Sequence, residues 1–440
     1  MNITVNASLT LKKGEGRSLK AGGAWIYDNE IAQVTGAPKA GALVEVHDFD
    51  GYYLGQGFYN PHSKLTVRML TRRREHPVTE ELLKGRVRDA YAYRQCVTDS
   101  FDPAQRAHAA CRLIFGEADF LPGLTVDRFA DLLVVESLAL GIDRLKPLLL
   151  RELVDALEED GIRIRGIYER SDSKTRELEG MERYSGFLGI PPKKDGSENL
   201  LDGRPFDTTV EILENGLYLT VDVANGQKTG YFLDQQENRA AVGALVRRMT
   251  ANGLGRMQEG STAPRVLDCF TCTGSFALNA AKAGAASVLG VDASELAVEQ
   301  ARANAERNGL SDRASFLAAD VFEFLPAEEA KGSLYDVVIL DPPAFTKSRS
   351  SVKNAEKGYR EINLRGMRLV RDGGFLVTCS CSHFMEPELF AETIAAAAKA
   401  AHRRLRQAEF SWQAPDHPIL WGAGESGYLK FYIFQVVEEK

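Results

Sequence analysis

Hydrophobic and polar residues alternate in short runs over the first 76 residues of the chain. The run from Leu65 to Leu70 begins with three apolar side chains at alternating positions, which is the pattern of a strand with one buried face. Two further runs, Gly41 to Val46 and Tyr52 to Tyr59, are set apart by glycines that interrupt regular structure. The pattern predicts a small β-rich module over residues 1–76.

Helical and extended patterns are mixed in the middle of the chain. Helices are predicted from Thr79 to about Val97, with two glutamates in the first turn, and from Leu145 to Glu159. Strands are predicted from Asp131 to Leu138 and from Ile164 to Tyr168. These elements indicate a second, α+β domain over residues 77–190.

Strands and helices alternate strictly from about residue 261 onward. Two of the predicted helices run from Ser275 to Ala283 and from Glu295 to Asn308. Strands separated by helices of this length predict a doubly wound, mostly parallel sheet with helices on both faces. The predicted strands are Arg265 to Cys269, Ser287 to Val291, Ala314 to Leu317, Val337 to Leu340 and Gly374 to Cys379.

Composition narrows the class of protein without identifying it. The 440 residues are 44% hydrophobic and 26% charged, which fills several cores and excludes collagen, a disordered tail and a disulfide scaffold. No run approaches the roughly 18 apolar residues of a membrane span. The start of the chain lacks a secretion signal, and its six cysteines do not resemble a disulfide framework. We therefore expect a cytoplasmic protein with no membrane partner.

Charge is distributed unevenly along the chain, whose formal net charge is −7. Residues 1–76 carry ten Lys and Arg against seven Asp and Glu, so the excess of acid lies in the remainder. A basic end on an acidic body is compatible with a local phosphate-binding face, although charge alone favours an ordinary solvated surface.

Acidic residues stand at the ends of three consecutive strands of the predicted parallel sheet, where such sheets bind ligands. The first strand leads through Asp268 into a turn that ends at Gly274, and Asp292 follows 18 residues later at the tip of the second strand. An acid in that place accepts both hydroxyls of a ribose. Asp320 ends the third strand, where it can accept from an adenine amino group.

The pattern favours a cofactor with a ribose and a cation over a dinucleotide. The turn holds a single glycine and begins with a carboxylate that repels phosphate, so S-adenosylmethionine is the expected cofactor. Any one of the three acids alone is better explained as a helix N-cap. Their occurrence at three strand ends, together with the glycine turn, favours the cofactor site.

The fourth strand ends in Asp341-Pro342-Pro343. The two prolines fix the backbone and remove two N–H donors, so they present Asp341 and the backbone carbonyls rigidly. Such a slot fits a planar heteroaromatic substrate, although a lone Asp-Pro-Pro is more often a turn that stops a strand.

The fifth strand ends in Cys379-Ser380-Cys381, which a doubly wound sheet places beside the fourth strand. A thiolate is a strong nucleophile, and its addition to C6 of a pyrimidine turns C5 into a carbon that attacks a methyl sulfonium. Alternatively the cysteines are buried structural residues, or they bind zinc together with Cys269 and Cys272. Because two strand spacings separate the cysteine pairs, we expect no metal.

Taken together, these motifs resemble the bacterial 23S ribosomal RNA (cytosine-5) methyltransferases that carry an N-terminal PUA domain. The resemblance covers essentially the whole chain, and it depends on the order and spacing of the motifs. It implies a PUA-like RNA-binding domain over residues 1–76, a central α+β domain over 77–190, and a Rossmann-like class I methyltransferase domain over 191–440. The motifs are Lys12 to Leu19, Leu121 to Arg128, Tyr168 to Asp172, Gly226 to Gln235, Asp268 to Gly274, Asp341 to Phe345, Gly358 to Asn363, Ser380 to Ser382 and Asp416 to Pro418.

The same resemblance implies roles for individual residues. Cys381 is implied as the nucleophile, and Asp341 as the group that holds the N3 and amino edge of a flipped cytosine. Cys379 is interpreted as a second-choice thiol or as a packing residue. The implied cofactor-binding residues are Asp268, Phe270, Thr273, Gly274, Asp292, Asp320, Val321, Asp341, Tyr231 and Gln235. The residues expected to contact RNA phosphates are Arg17, Lys20, Arg72, Arg73 and Arg74.

The implied activity is S-adenosylmethionine-dependent C5-methylation of a cytosine in 23S ribosomal RNA, and a homodimer is considered as an assembly. A guanine N-methyltransferase acting on ribosomal RNA is the nearest alternative, because a nitrogen attacks the methyl group directly and needs no thiol. Cys381 favours the cytosine enzyme. An RNA-binding ribosome assembly factor with a vestigial methyltransferase domain is a second alternative, and a metal-dependent redox protein is a distant third.

Overall fold

The computed structural model describes residues 4–193, 199, 201–255, 262–346, 348–421 and 426–438. The chain forms two compact units. The first comprises Met1–Ile212, Val221–Leu233 and Pro415–Ser426, and the second comprises Leu213–Thr220, Asp234–Ala414 and Gly427–Lys440. Within the described ranges, no helix combines the length and the apolar character that crossing a bilayer requires.

The first unit begins with a six-stranded sheet in the order β2-β6-β5-β4-β1-β3. Alternate side chains of its strands, including Val44, Val46 and Val67, form a separate apolar core. Gly55 has a positive φ of 145°, and a Cβ there would lie 2.1 Å from the Thr71 carbonyl oxygen, so only glycine fits. The elements are β1 (Ser8–Leu11), α1 (Arg17–Lys20), β2 (Trp25–Tyr27), β3 (Ile31–Thr35), β4 (Ala42–His47), β5 (Tyr53–Tyr59) and β6 (Leu65–Thr71).

A five-stranded mixed sheet follows in the same unit, in the order β11-β10-β9-β8-β7. Helix α2 begins where the sequence predicts, because the Thr79 hydroxyl accepts the Leu82 N–H at 3.1 Å and caps it. The apolar stripes of α2 and α3 share one core with this sheet. The elements are α2 (Glu80–Val97), β7 (Ala110–Phe115), β8 (Leu124–Phe129), β9 (Leu132–Ser137), α3 (Leu140–Glu159), β10 (Gly166–Ser171), α4 (Thr175–Leu178) and β11 (Tyr184–Phe187).

A two-stranded hairpin, β12 (Thr209–Glu214) and β13 (Leu217–Asp222), belongs in part to each unit. Its turn residues Asn215 and Gly216 both have positive φ, 53° and 73°. Asn-Gly is the preferred pair for a two-residue hairpin turn, because both residues adopt the left-handed region readily. No hairpin was predicted here, although this pair of residues is its usual signal in a sequence.

The second unit contains a seven-stranded sheet in the order β16-β15-β14-β17-β18-β20-β19, parallel except for β20. The doubly wound, mostly parallel sheet predicted from the sequence is therefore confirmed. The elements are α5 (Gln236–Ala251), β14 (Arg265–Cys269), α6 (Ser275–Lys282), β15 (Ser287–Asp292), α7 (Glu295–Arg307), β16 (Ala314–Ala318), α8 (Val321–Ala330), β17 (Tyr335–Leu340), α9 (Val352–Leu369), β18 (Val370–Ser380), α10 (Pro387–Ala400), β19 (Arg403–Ser411) and β20 (Lys430–Glu438).

Helices cover both faces of this sheet. On one face α8, α9 and α10 share a core with alternate sheet residues such as Leu340 and Tyr432. On the other face, Phe276 of α6 stacks on Phe431, the neighbour of Tyr432 in β20, with ring centroids 6.5 Å apart. Burial on both faces explains why every residue of β17 is buried and why Val337 to Leu340 form one apolar run. Single 3₁₀ turns occur at Asp28–Glu30, Asp99–Phe101, Arg106–His108, Gly116–Asp119, Leu233–Gln235 and Arg349–Ser351.

The chain order of the strands reverses at β14, which has β15 on one side and β17 on the other. Cys269 at the end of β14 pairs with Leu340, and Leu340 pairs with Thr378 of β18. The carboxyl ends of β14, β17 and β18 therefore lie together at the switch point, where open α/β sheets bind ligands.

Candidate active site

The turn between β14 and α6 has an unusual backbone. Phe270, Cys272 and Gly274 all have positive φ, at 63°, 49° and 83°. A Cβ on Gly274 would lie 3.0 Å from both the Ala301 methyl and the Phe316 ring, so glycine is needed for space as well as for conformation. Two non-glycine residues in the left-handed region indicate a turn that the surrounding structure holds in place.

Asp268 is the carboxylate at the base of this turn, and it is fully buried. Its Oδ2 atom accepts the Thr271 hydroxyl at 2.5 Å and the Ala277 N–H at 3.0 Å. Its Oδ1 atom is buried and has no hydrogen-bond partner among the described residues. Burial raises the pKa of Asp268 to about 7, with a further contribution from Asp341. A buried carboxylate oxygen without a donor is costly, so this atom suits a ligand that brings a cationic or N–H donor.

Asp292 and Asp320 occupy the ends of β15 and β16, as the sequence predicts. Asp292 is half-buried, and its two oxygens accept the N–H groups of Cys272 and Ser294, each at 2.9 Å. Asp320 is exposed, and its Oδ1 atom accepts the Phe322 N–H at 2.8 Å as the N-cap of α8. Asp320 therefore has the capping role that is the ordinary alternative to cofactor binding for an acid in this place.

Aromatic side chains line the region beside this turn. The ring of Phe270 lies 6.4 Å from that of Phe322, and Phe322 lies 5.8 Å from Phe345. Phe322 is 44% exposed, which is unusual for phenylalanine, yet only its buried neighbour Val321 was expected in the cofactor site. The one available signal was an aromatic residue two positions after the acid of the third strand.

Asp341 is held by a buried glutamine. The Gln235 side-chain amide donates to Asp341 Oδ1 at 2.9 Å, and its own oxygen accepts from Asn238 at 2.7 Å. The structure therefore brings Gln235 and Asp341 together, both of them residues implied by the sequence. Tyr231 is buried and belongs to the first unit.

The two cysteines at the end of β18 have different environments. Cys379 is fully buried, and Asp341 and Gln235 are its polar neighbours. Burial raises the pKa of Cys379 well above its usual value, and the Asp341 carboxylate adds to the shift. Cys381 is half-buried, and its Sγ atom lies 3.9 Å from the Pro342 carbonyl oxygen of the Asp-Pro-Pro turn.

The segment around Cys381 is fixed by contacts that the sequence did not reveal. The hydroxyl of Tyr359, from α9, is hydrogen-bonded to Ser380 Oγ at 3.0 Å and to Ser382 Oγ at 2.9 Å. The Lys430 ammonium donates to the Ser382 carbonyl at 2.7 Å. These contacts flank the thiol on both sides in the chain and hold its backbone.

Two other residues near the ends of β14 and β18, Thr273 and His383, have simpler surroundings. The Thr273 carbonyl oxygen accepts a side-chain N–H of Asn304 at 3.1 Å. His383 is exposed, with its ring against that of Phe384 at 5.2 Å. Across the described ranges, no three His, Cys, Asp or Glu side chains are grouped as a metal site.

The residues expected to contact RNA lie in the first unit, at α1 and directly after β6. All five are exposed. Lys20 pairs with Asp48 at 3.1 Å, and Arg72 donates to the Gly22 carbonyl at 2.7 Å. The Arg74 guanidinium lies 4.6 Å from the centre of the Tyr53 ring.

Comparison with known proteins identifies the class to which this fold and site belong. Residues 188–419 match the family described as S-adenosylmethionine-dependent methyltransferases, and residues 9–72 match the PUA-like domain. The first match spans more than half of the chain, so the chain belongs to the S-adenosylmethionine-dependent methyltransferase family. The expected cofactor and the two kinds of domain are thereby confirmed.

The particular relatives are full-length matches. The protein named ribosomal RNA large subunit methyltransferase I from Shewanella denitrificans is 37% identical over 430 residues, covering 97% of this chain and 99% of the relative. The protein of that name from Photobacterium profundum is 36% identical, with 97% and 98% covered.

Solved structures show the same fold at lower identity. A Streptococcus mutans protein assigned to the S-adenosylmethionine-dependent methyltransferases has a TM-score of 0.75 and 19% identity, covering 98% of this chain and all of that one. SMU.776, a protein crystallised with SAH, has a TM-score of 0.75 and 18% identity, with 98% of this chain covered.

Proposed function

We propose that this protein methylates C5 of a cytosine in 23S ribosomal RNA, with Cys381 as the nucleophile. The observation that carries the proposal is the half-buried Cys381 thiol at the Asp341-Pro342 turn, at the ligand-binding edge of the sheet. Ribosomal RNA as the substrate is supported by the names of the full-length relatives and by the PUA-like domain match.

The residues at the switch point fit S-adenosylmethionine. Asp268 Oδ1, a buried oxygen without a donor among the described residues, suits the ammonium of the methionine part. Asp292 keeps lone pairs for ribose hydroxyls, because each of its oxygens accepts one backbone N–H. Phe270 and the exposed Phe322 offer aromatic surface to adenine, beside Val321. The bound cofactor supplies an electrophilic methyl group.

The protein's own residues then activate the base. The Cys381 thiolate adds to C6 of the cytosine, which places electron density on C5, and C5 takes the methyl group. N3 takes up a proton from solvent as the thiolate adds. After methyl transfer the C5 proton and the N3 proton pass to solvent and the thiolate is eliminated, which restores the aromatic base and frees the cysteine. Asp341, fixed by Gln235, accepts hydrogen bonds from the amino group and from the protonated N3 of the adduct. The base leaves any stacked helix before Cys381 reaches it.

The choice between the two thiols follows from burial. Cys379 is fully buried, and its raised pKa keeps it as a neutral thiol beside Asp341. Cys381 lies two residues further, beyond the end of β18, where its sulfur is partly exposed. We assign the nucleophile to Cys381 and a positioning contact for Asp341 to Cys379.

RNA contact is assigned to the PUA-like part of the chain. Five exposed cations of the first unit are candidates for this contact: Arg17, Lys20, Arg72, Arg73 and Arg74. These cations fit phosphate contacts that position RNA without reading its sequence. The division into domains at 1–76, 77–190 and 191–440 remains a prediction.

Nucleoside mass spectrometry tests the proposal directly. Unmodified 23S ribosomal RNA is incubated with S-adenosylmethionine and the wild-type, Cys381→Ala or Cys379→Ala protein, then digested to nucleosides. We expect 5-methylcytidine with wild type and Cys379→Ala and none with Cys381→Ala. Methylguanosine would instead assign the function to the guanine N-methyltransferase alternative. The same yield of 5-methylcytidine from Cys381→Ala would remove that thiol from the reaction.

A further inference from the structure

A buried lysine lies next to the segment that carries Cys381. Lys430 is the first residue of β20, and β20 pairs antiparallel with β18 so that Lys430 is opposite Ser380. Its side chain is 1% exposed. The ammonium donates to the carbonyl oxygens of Ser382 and Tyr428, each at 2.7 Å.

Among the described residues, no carboxylate lies within ion-pair distance of the Lys430 ammonium, and the negative charge of Glu386 acts on it from farther away. Two carbonyl bonds satisfy two of its three N–H donors, and neither neutralises its charge. A buried charge without a partner is costly, so its presence points to a group that becomes negative nearby.

We propose that the Lys430 ammonium is the counter-charge that stabilises the Cys381 thiolate. The thiol loses its proton to solvent, Lys430 keeps its own, and the thiolate that is eliminated at the end of the reaction returns to the same ion pair. Lys430 is then a positioning residue, which touches neither the base nor the methyl donor. The inference rests on the proposed function for the use of the thiolate, although the ionisation itself is measurable without RNA.

Three titratable side chains lie around Lys430 and the end of β18. Asp341 adds to the raised pKa of Cys379, Glu386 acts on Lys430 through its charge, and Tyr359 is a neutral hydroxyl because burial raises its pKa to about 12. Burial lowers the pKa of Lys430 to about 8, while negative charge on Cys381 and Glu386 acts in the opposite direction. Lys430 is therefore mostly protonated at pH 7 and becomes more so when the thiolate forms.

A purely structural role for Lys430 makes a different prediction. If the lysine only ties Ser382 to Tyr428, a neutral side chain that donates hydrogen bonds will replace it. Lys430→Gln retains donors and removes the charge, whereas Lys430→Arg retains the charge. Lys399→Gln is the matched control, because Lys399 is an exposed lysine at the end of α10 in the same unit.

The experiment measures the pH dependence of Cys381 alkylation by iodoacetamide in the full-length protein without RNA. Peptide mass spectrometry with fragmentation separates modification at Cys381 from modification at Cys379. We expect wild type, Lys399→Gln and Lys430→Arg to ionise Cys381 below the ordinary thiol pKa of about 8.5. Lys430→Gln shifts the midpoint upward by at least about one unit, which is about tenfold slower alkylation at pH 7.

Thermal unfolding and S-adenosylmethionine binding verify that each variant is folded. An unshifted midpoint in folded Lys430→Gln would overturn the proposal. Should that variant not fold, a wild-type midpoint at or above about 8.5 would overturn it equally. A shifted midpoint in a protein that forms no 5-methylcytidine would contradict the proposed function and leave the ion pair standing.

Discussion

Protonation of Asp268 is expected to control the affinity of the protein for its cofactor. Asp268 is fully buried, one of its oxygens lacks a donor among the described residues, and burial raises its pKa to about 7. The cofactor ammonium is attracted by the carboxylate and not by the neutral acid. S-adenosylmethionine binding below pH 7 therefore requires that Asp268 release a proton.

The size of the effect follows from the pKa. At pH 7 about half of the free protein has Asp268 ionised and at pH 6 about a tenth, so the affinity falls about fivefold over this unit and about tenfold per unit below pH 6. A tenfold loss of affinity corresponds to about 1.4 kcal/mol of binding free energy. The folding stability of the free protein changes with pH in the opposite direction. The contribution of the raised Asp268 pKa to the free energy of unfolding is fully present below pH 3.8, and it is lost as the pH rises through about 7.

Isothermal titration calorimetry between pH 5.5 and 7.5 tests this expectation, with paired buffers of different ionisation enthalpy to count protons. Wild type is expected to release about 0.9 proton at pH 6 and about half a proton at pH 7. Asp268→Asn is expected to bind S-adenosylmethionine more weakly, with an affinity that does not depend on pH in this range. The control Asp292→Asn is also expected to bind more weakly, but its affinity keeps the pH dependence of wild type. A flat wild-type profile, or an unchanged slope in Asp268→Asn, would refute the assignment of Asp268 to the ammonium.

Three further perturbations have defined outcomes. Cys381→Ala is expected to lower the rate of 5-methylcytidine formation by at least about 10³-fold and to leave the cofactor affinity unchanged. Cys379→Ala is expected to keep a rate within about tenfold of wild type. Equal losses of rate in the two variants would contradict the assignment of the nucleophile. Gly274→Ala places a Cβ 3.0 Å from the Phe316 ring at a φ of 83°. Chemical denaturation should therefore show that the free energy of unfolding is lower by about 1–3 kcal/mol. An unchanged free energy of unfolding would mean that the turn adapts to the methyl group. In filter-binding assays, Arg73→Gln should reduce the slope of log binding constant against log salt concentration by about 0.7–0.9. Lys399→Gln should leave this slope unchanged. The same slope in both variants would exclude Arg73 from phosphate contact.

Local patterns predicted the strands that build the site. The strands at residues 265–269 and 287–292 and the helix that begins at Ser275 match the structure within a residue or two. Strand β20 was missed although residues 431–434 are apolar, because a continuous apolar run does not distinguish a buried strand from other buried segments. The Asn215-Gly216 hairpin was missed although its turn residues are diagnostic.

The environment of each thiol could not be predicted in this way. Cys379 and Cys381 are two positions apart, and the sequence offers no reason to treat one as buried and the other as accessible. Strand β18 ends at Ser380, so Cys379 is enclosed by neighbouring strands and Cys381 is not. Asp320 likewise became identifiable as the N-cap of α8 only when its contact to the Phe322 N–H was seen.

Periodicity and turn residues act over a few positions in the chain. Short-range patterns were therefore sufficient to predict the order of strands and helices, the acids at the strand ends and a cysteine near Asp-Pro-Pro. The accessibility of each thiol, and the place of Lys430 beside a segment 49 positions away at Cys381, became evident only in the folded chain. Burial and electrostatic interaction depend on distances between residues remote in the chain, and antiparallel pairing of β18 with β20 sets those distances.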